Sequence, residues 1–246
     1  MSGEIDRADK ILVQLGHFGS RAEAQAAIAA GTVTINGKRL AKASQKIAAS
    51  AKITAEPAHP YVSRAALKLA HALAHFKLSA DGRHCLDIGA STGGFSQVLL
   101  LGGAAQICAV DVGHGQLHPQ LTTETRLTSY EGTDARNLTD AQLGYAPDLI
   151  VCDASFISLH KLLPRPLELA APRADLVCLF KPQFEVGRVH IGKGGLVTNS
   201  DAITQAERTF CAWLDAQNWR VQECIDSPIR GGDGNAERLI WAQHQV

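Results

Sequence analysis

The sequence predicts an α/β protein: a mostly parallel sheet wrapped by helices, preceded by a small N-terminal α+β unit. Three observations carry that prediction. Short apolar runs recur at 84–88, 106–111, 127–131, 148–152 and 175–180, with helical patterns between most of them. Two later runs, around 219–225 and 237–242, are joined by a Gly-rich loop and bring the strand count to seven. The first 60 residues read differently, as two short helices and a hairpin. The expected domains are therefore 1–60 and 61–246, with the two-proline stretch "AEPAHPYVS" as the linker.

In the first domain Ala8, Ile11, Leu12 and Leu15 recur at helical spacing before the Gly16–Gly19 turn. Ser20 is the expected N-cap of a second helix, with Glu23 completing a capping box. That helix runs through Ala24, Ala27 and Ile28 to Gly31, a natural C-terminal stop. "TVTI" alternates as a strand does, and Asn36–Gly37 signals a tight hairpin followed directly by Lys38 and Arg39. The second domain opens with a helix, "SRAALKLAHALAHF", whose apolar side is Ala66, Leu69, Leu73 and Phe76 and whose expected N-cap is Ser63.

Composition narrows the function classes. The formal net charge is zero, yet residues 1–60 hold eight Lys/Arg against five acids, a local +3. A small basic unit attached to a slightly acidic one suggests an anionic partner for the first. The six cysteines form no CxxC pair, and four sit in apolar strand-like runs, so they read as buried hydrophobes and suit a reducing cytosol. No metal is expected. The polar start "MSGEIDRADK" is no secretory signal, and the most apolar segment, 98–110, is too short and interrupted to span a bilayer. A cytoplasmic protein with no membrane partner is expected.

The stretch "RADKILVQLGHFGSRAEAQAAIAAGTVTINGKRL" resembles the small RNA-binding domain named after ribosomal protein S-four. The resemblance implies RNA contacts from Arg7, Arg21, Lys38 and Arg39, with Arg64 added at the entrance to the second domain. Arg21 at a helix start, with Lys38 and Arg39 beside a turn, suits convergence on phosphates. The alternative is a solvated charge face on an interaction module.

"CLDIGASTGGFS" leaves the first strand of the second domain and enters a helix. Gly89, Gly93 and Gly94 let a backbone approach a ligand closely, but the pattern is neither G-x-G-x-x-G nor a Walker loop. Asp87 at the strand tip suits a ligand carrying an ammonium or sulfonium. Asp111, ending the next strand, suits ribose hydroxyls, and Asp134, after the third, suits an adenine amine. Ribose, adenine and a positive centre together describe S-adenosylmethionine. A nicotinamide dinucleotide, or acids that merely cap helices, are the alternatives.

"LVCLFKPQFE" raises a further question: Lys181 ends a run that reads as buried on both faces. A lysine there is a snorkelling surface group or an amine held in a cleft. Asp153, in "DLIVCDASF", ends the preceding strand; Glu237, in "GGDGNAERLIW", begins the last strand and meets the same edge if that strand is antiparallel; Lys68 lies on the entering helix.

These residues resemble the FtsJ-like RNA ribose methyltransferases. With "YVSRAALKL", "DLIVCDASFISL", "KPQFEVGRVHIGKGGLV" and "GNAERL", nearly the whole chain resembles the hemolysin-A-like (TlyA) family of ribosomal RNA 2′-O-methyltransferases. The resemblance implies a Rossmann-like S-adenosylmethionine-dependent methyltransferase domain with a mostly parallel seven-stranded sheet, the last strand antiparallel. It implies Lys68, Asp153, Lys181 and Glu237 as the catalytic set. It implies a cofactor site of Asp87, Gly89, Ser91, Gly93, Gly94, Phe95, Asp111, Asp134 and Ala135. The implied substrate is a cytidine ribose of ribosomal RNA or a ribosomal subunit, the large one first, with some members also acting on the small one. The chain departs from the family pattern at Ala65–Ala66, where glycine is more usual, and at "LVTNS", where a more basic segment is. A lysine kept neutral by burial or by a neighbouring cation can take the proton of a ribose hydroxyl; a charged one can steer it. Two other classes compete: a non-catalytic RNA-binding or assembly factor, and a membrane-active hemolysin, for which no amphipathic cationic helix speaks.

Overall fold

Strands that alternate two apolar faces must be covered on both, and the second part of the chain does this. The structure, a computed structural model, describes residues 4–245. The chain divides into two units, 1–60 and 61–246, each with its own core.

The first unit holds β1 (Ile5–Arg7), α1 (Ala8–Gln14), α2 (Arg21–Ala30), β2 (Val33–Ile35), β3 (Lys38–Arg39), β4 (Lys46–Ala48) and β5 (Ile53–Ala55). β1 pairs with β4, and β2 lies between β3 and β5, all antiparallel. Ile11, Leu12, Ala24, Ile28, Val33 and Leu40 fill the core. Ser20 caps α2 by accepting the Glu23 N–H. The Glu23 carboxylate, however, takes the Gly19 N–H and the Ser20 hydroxyl, so the expected box closes one residue early. Gly31 ends the helix at φ 82°. Asn36 and Gly37 both have positive φ, 52° and 78°, as a two-residue hairpin turn demands. Ile35 consequently faces Lys38, and both β3 side chains are exposed.

The second unit runs α3 (Ala66–Phe76), β6 (His84–Ile88), α4 (Gly94–Leu101), β7 (Gln106–Val110), β8 (Leu127–Tyr130), α5 (Asp140–Leu143), β9 (Leu149–Cys152), α6 (Leu159–Leu162) and α7 (Pro164–Glu168). It continues with β10 (Asp175–Phe180), α8 (Pro182–Glu185), α9 (Ser200–Ala216), β11 (Trp219–Asp226) and β12 (Arg238–His244). Ser63 does not cap α3. The entry turn is stitched by backbone bonds from Ala66, Leu67 and Lys68 back to residues 63–65. The Ser63 hydroxyl instead sits against Gly94, where any side chain would overlap it.

The sheet order is β11-β12-β10-β9-β6-β7-β8, and β12 alone runs against the rest. This is the expected seven-stranded sheet with its last strand antiparallel. From β6 the chain steps outward to β7 and β8, then returns to β9 on the other side of β6. That reversal opens a crevice at the carboxyl edge, where open α/β sheets bind ligands. Leu86, Ile88, Ile150, Cys178 and Phe180 pack under α6, α7 and α9, and Cys85, Ile107, Val151, Val177 and Leu179 under α3 and α4. Cys85, Cys108, Cys152 and Cys178 are buried, and all six thiols are free. Burial pushes the thiols of Cys85, Cys108 and Cys152 up to about 12. Among the described residues no helix is long and apolar enough to cross a membrane, and no cluster suits a metal ion.

Candidate active site

The β10–β12 register pairs Phe180 with Arg238, so the next residues outward, Lys181 and Glu237, leave the sheet side by side. Asp153 follows β9, the parallel neighbour of β10. Lys68 comes from the first turn of α3. Four segments thus bring two ammonium groups and two carboxylates together. Lys68 Nζ donates to Glu237 Oε2 at 2.6 Å and lies 3.8 Å from Asp153 Oδ2. Lys181 Nζ lies 2.6 Å from Asp153 Oδ1 and donates to Ser155 Oγ at 2.9 Å. Lys68, Lys181 and Glu237 are only 6, 7 and 3% exposed. The set reads Glu237–Lys68–Asp153–Lys181, alternating in sign, and its formal charges cancel. Buried charges are tolerated when paired in this way.

All four line one cavity of ≈ 490 Å³. Its other wall is the Gly-rich loop, including Gly89, Ser91, Gly94 and Phe95, and Arg64 stands on its lining. The glycines are needed against the protein itself. A Cβ on Gly89 would come within 2.9 Å of Ala154. Gly93, at φ 86°, faces the side chains of Leu117 and Leu121. Close packing of loop on loop, rather than open space, is what these two positions show.

Asp111 anchors the loop: Oδ2 accepts the Ser91 N–H at 2.8 Å and Oδ1 the Gly113 N–H at 2.7 Å. This lets Ser91 hold a left-handed φ of 47°. Beneath the loop, Asp87 is fully buried, with Oδ2 accepting from Ser96 Oγ at 2.6 Å and Oδ1 lacking a hydrogen-bond partner among the described residues. Burial pushes its carboxyl up to about 7, against the Ser96 hydrogen bond. Asp87 itself does not line the cavity; an orphaned buried carboxylate oxygen suits a ligand with a positive centre. Asp134 caps the turn that holds buried Ala135, and its carboxylate is engaged by Arg136 at 2.5 Å. Thr133 N–H bonds the Asp111 carbonyl, which keeps this turn beside the Asp111 loop. Of the expected cofactor residues, Gly93, Asp111, Asp134 and Ala135 also do not line the ≈ 490 Å³ cavity.

Sequence reasoning missed Ser155, Phe156 and a second cavity of ≈ 620 Å³. Phe156 is 92% exposed, at φ 67°, with its ring 5.5 Å from that of Phe184. Both rings belong to both cavities, and Arg136, Lys161 and Arg188 line the second. The only signal was an aromatic side chain three residues past a candidate Asp; the three cations lie far apart in sequence.

In the first unit, buried Asp9 accepts from Arg7 (Nε, 2.9 Å), Arg21 (Nη2, 2.8 Å) and Gln25 (Nε2, 2.7 Å). Those hydrogen bonds, Arg7 first, hold its carboxyl far below the usual range. Arg7 and Arg21 are thus gathered at one carboxylate, each still partly exposed. Lys38 and Arg39 sit apart on the hairpin, where the Arg39 guanidinium lies over Gly31.

Residues 61–244 match the family model of FtsJ-like methyltransferases, and residues 6–53 that of the S4 domain. The chain is 39% identical to the 16S/23S rRNA (cytidine-2′-O)-methyltransferase TlyA of Mycobacterium tuberculosis, over 98% of this chain and 90% of the relative. It is 36% identical to Hemolysin A of Brachyspira hyodysenteriae, over 95% of this chain and 98% of that one. A solved Streptococcus thermophilus structure named for hemolysins aligns with a TM-score of 0.77 at 35% identity, covering 100% of this chain and 90% of its own.

Proposed function

The chain belongs to the FtsJ-like methyltransferases, in the TlyA family with its N-terminal S4 domain, and from that membership we propose that it methylates a cytidine ribose 2′-hydroxyl of ribosomal RNA. S-adenosylmethionine is the methyl donor and the cytoplasm the site of action in this reading. The observation that carries the reading is the buried Glu237–Lys68–Asp153–Lys181 set facing the Gly-rich loop across one cavity.

Asp111 would hold the donor's ribose, and ionised Asp87, beneath the loop, would face its positive end. When bound, S-adenosylmethionine would supply an electrophilic methyl on a sulfonium, whose S–CH3 bond breaks to leave the neutral thioether. Lys181, in its neutral form, takes the 2′-hydroxyl proton as the oxygen gains the methyl group, and passes it on to solvent. Asp153 faces the ammonium so formed, and Ser155 fixes its direction. Lys68 neutralises the far side of Asp153, and Glu237 holds Lys68 in place. Much of the rate then comes from positioning. In a second reading Lys181 keeps its proton and steers the hydroxyl electrostatically; its 2.6 Å ion pair with Asp153 favours this one. Lys181→Arg separates the two, because a permanently charged side chain preserves a steer and abolishes a base.

The second cavity supports an RNA substrate: three cations and an exposed aromatic face suit a phosphate backbone with unstacked bases. The large subunit is the first candidate and the small subunit the second. The test is labelled methyl transfer to ribosomal RNA and to both subunits from cells lacking this protein, followed by mapping of 2′-O-methyl sites. Cofactor binding with no methyl placed in any of them would leave an RNA-binding assembly factor. Lysis of red cells by detergent-free protein would favour the hemolysin class instead.

A further inference from the structure

One buried carboxylate at the carboxyl edge has no task in this chemistry. Glu185 ends α8, the single turn that follows Lys181. Its side chain is 3% exposed, and it does not line the cavity. Its Oε1 accepts the Leu159 backbone N–H at 2.8 Å, and its Oε2 lies 3.7 Å from His160 Nδ1. Leu159 is the first residue of α6, which closes the segment 153–158. That segment carries Asp153, Ser155 and Phe156. The chains leaving β9 and β10 are therefore latched twice. Lys181 grips Asp153 and Ser155 at the near end, and Glu185 grips Leu159 at the far end.

Stability does not account for the second latch. Burial pushes the Glu185 carboxyl up to about 7. The folded chain then holds this proton more tightly than the unfolded chain, so the fold weakens as pH rises from the ordinary carboxyl range through about 7, and the cost stands in full above that. Glutamine has the same shape and would accept the same N–H without that cost. The neighbouring titratable groups do not repay it. His160 of α6 is itself pushed down by burial, and Cys178 of β10 is pushed well up. Between the latches sits Phe156 in its left-handed conformation, which persists only where surrounding structure over-determines it.

We propose that Glu185 is a positioning residue for methyl transfer: it holds segment 153–158 so that Asp153 and Ser155 meet Lys181. This rests on the catalytic reading above. The test uses the full chain and two substitutions, Glu185→Ala and Glu185→Gln. It measures kcat and KM for ribosomal RNA, S-adenosylmethionine affinity, and amide exchange of residues 153–163. The alanine variant is expected to lose roughly tenfold or more in kcat, since small misplacements are costly. KM and cofactor affinity should stay within about twofold, a split that distinguishes positioning from lost binding. Exchange in 153–163 should speed up. The glutamine variant should restore both kcat and protection.

Leu159→Pro provides a second route should Glu185→Ala not fold. It deletes the donor N–H at the first helical position, where proline is accepted, and Ser158 already has the extended backbone that a following proline requires. It should reproduce the loss, whereas Leu159→Ala, which keeps the N–H, should lose less. Normal kcat in Glu185→Ala, a kcat loss without faster exchange, or a glutamine variant that regains protection but not kcat each overturns the proposal. A wild-type chain that transfers no methyl overturns the catalytic reading and this proposal with it. An active wild type with an indifferent Glu185→Ala overturns this proposal alone.

Discussion

The ammonium of Lys68 lies 2.6 Å from the carboxylate of Glu237, a residue 169 positions further along the chain. Neither side chain has appreciable access to water. Glu237→Gln leaves that ammonium facing an amide, with Asp153 3.8 Å away as its remaining counter-charge. Breaking a buried pair by removing one partner costs about 3–5 kcal/mol, less whatever Asp153 returns. Lys68→Met combined with Glu237→Leu removes both charges and should unfold at a higher temperature than Glu237→Gln alone. Thermal denaturation decides it; a double variant no more stable than the single one shows that the pair is not energetically coupled.

Lys181→Ala should leave the fold and S-adenosylmethionine affinity intact, because it removes none of the loop that would hold the cofactor. Methyl transfer should fall by roughly 10²–10⁴, the usual contribution of a general base. Calorimetry and labelled-methyl turnover measure the two effects separately. Turnover near the wild-type rate sinks the assignment of Lys181 to the chemistry.

Asp111→Ala should weaken S-adenosylmethionine binding by about tenfold or more, since a hydrogen bond to a charged group is worth about 1.5–3 kcal/mol. The same change frees the Ser91 and Gly113 N–H groups, so protection of those amides should fall with it. If cofactor affinity holds while affinity for a nicotinamide dinucleotide drops, the pocket belongs to another ligand.

If Asp87 faces the donor's positive end, as proposed above, cofactor affinity depends on pH. The Asp87 carboxyl is pushed up to about 7, and a cationic ligand binds its ionised form. Affinity should therefore rise with pH and flatten above 7, with about a tenfold gain between pH 6 and pH 8. Asp87→Asn should bind weakly and lose this dependence. Calorimetry across that range checks it, and an equal slope in the variant assigns the titration to another group.

Lys38→Gln with Arg39→Gln removes two exposed charges from the hairpin without disturbing Asp9 and its arginines. RNA affinity should fall, and the slope of log affinity against log salt should become shallower by about 1.4–1.8 if each side chain neutralises one phosphate. Melting temperature and cofactor affinity should not move. An unchanged slope would mean that this pair is only a solvated surface.

Strand positions in the seven-stranded sheet were legible to within one or two residues, most plainly β6, β7, β9 and β10, which are buried on both faces and read as apolar runs; β1, β4 and β5, of three residues each, are too short to leave such a run. Lys181, Asp153 and Glu237 were legible as a group because the first two follow such runs and Glu237 precedes an antiparallel one, which brings all three to the same edge. Ser63 was misread because local chemistry favours a cap, while the chain needed a small polar group against Gly94. The engagement of Asp134 by Arg136, and of Arg7 and Arg21 by Asp9, was invisible because pairing depends on side-chain geometry that spacing does not encode. The cations of the second cavity escaped for a related reason: one from each of three separate segments leaves no charge run to notice.

β12, the last strand in sequence, inserts between β10 and β11, and β11 has no other partner in the sheet. During synthesis, then, β10 and β11 both present open edges until the final strand arrives. Such edges invite misplaced pairing, and contacts between distant residues form slowly. Glu237 enters with that strand, so the four-residue charge set closes only as the sheet does. On the proposed chemistry a nascent or truncated chain lacking β12 is both sticky and inert, and catalytic competence becomes a sign that the chain was finished and its sheet correctly threaded.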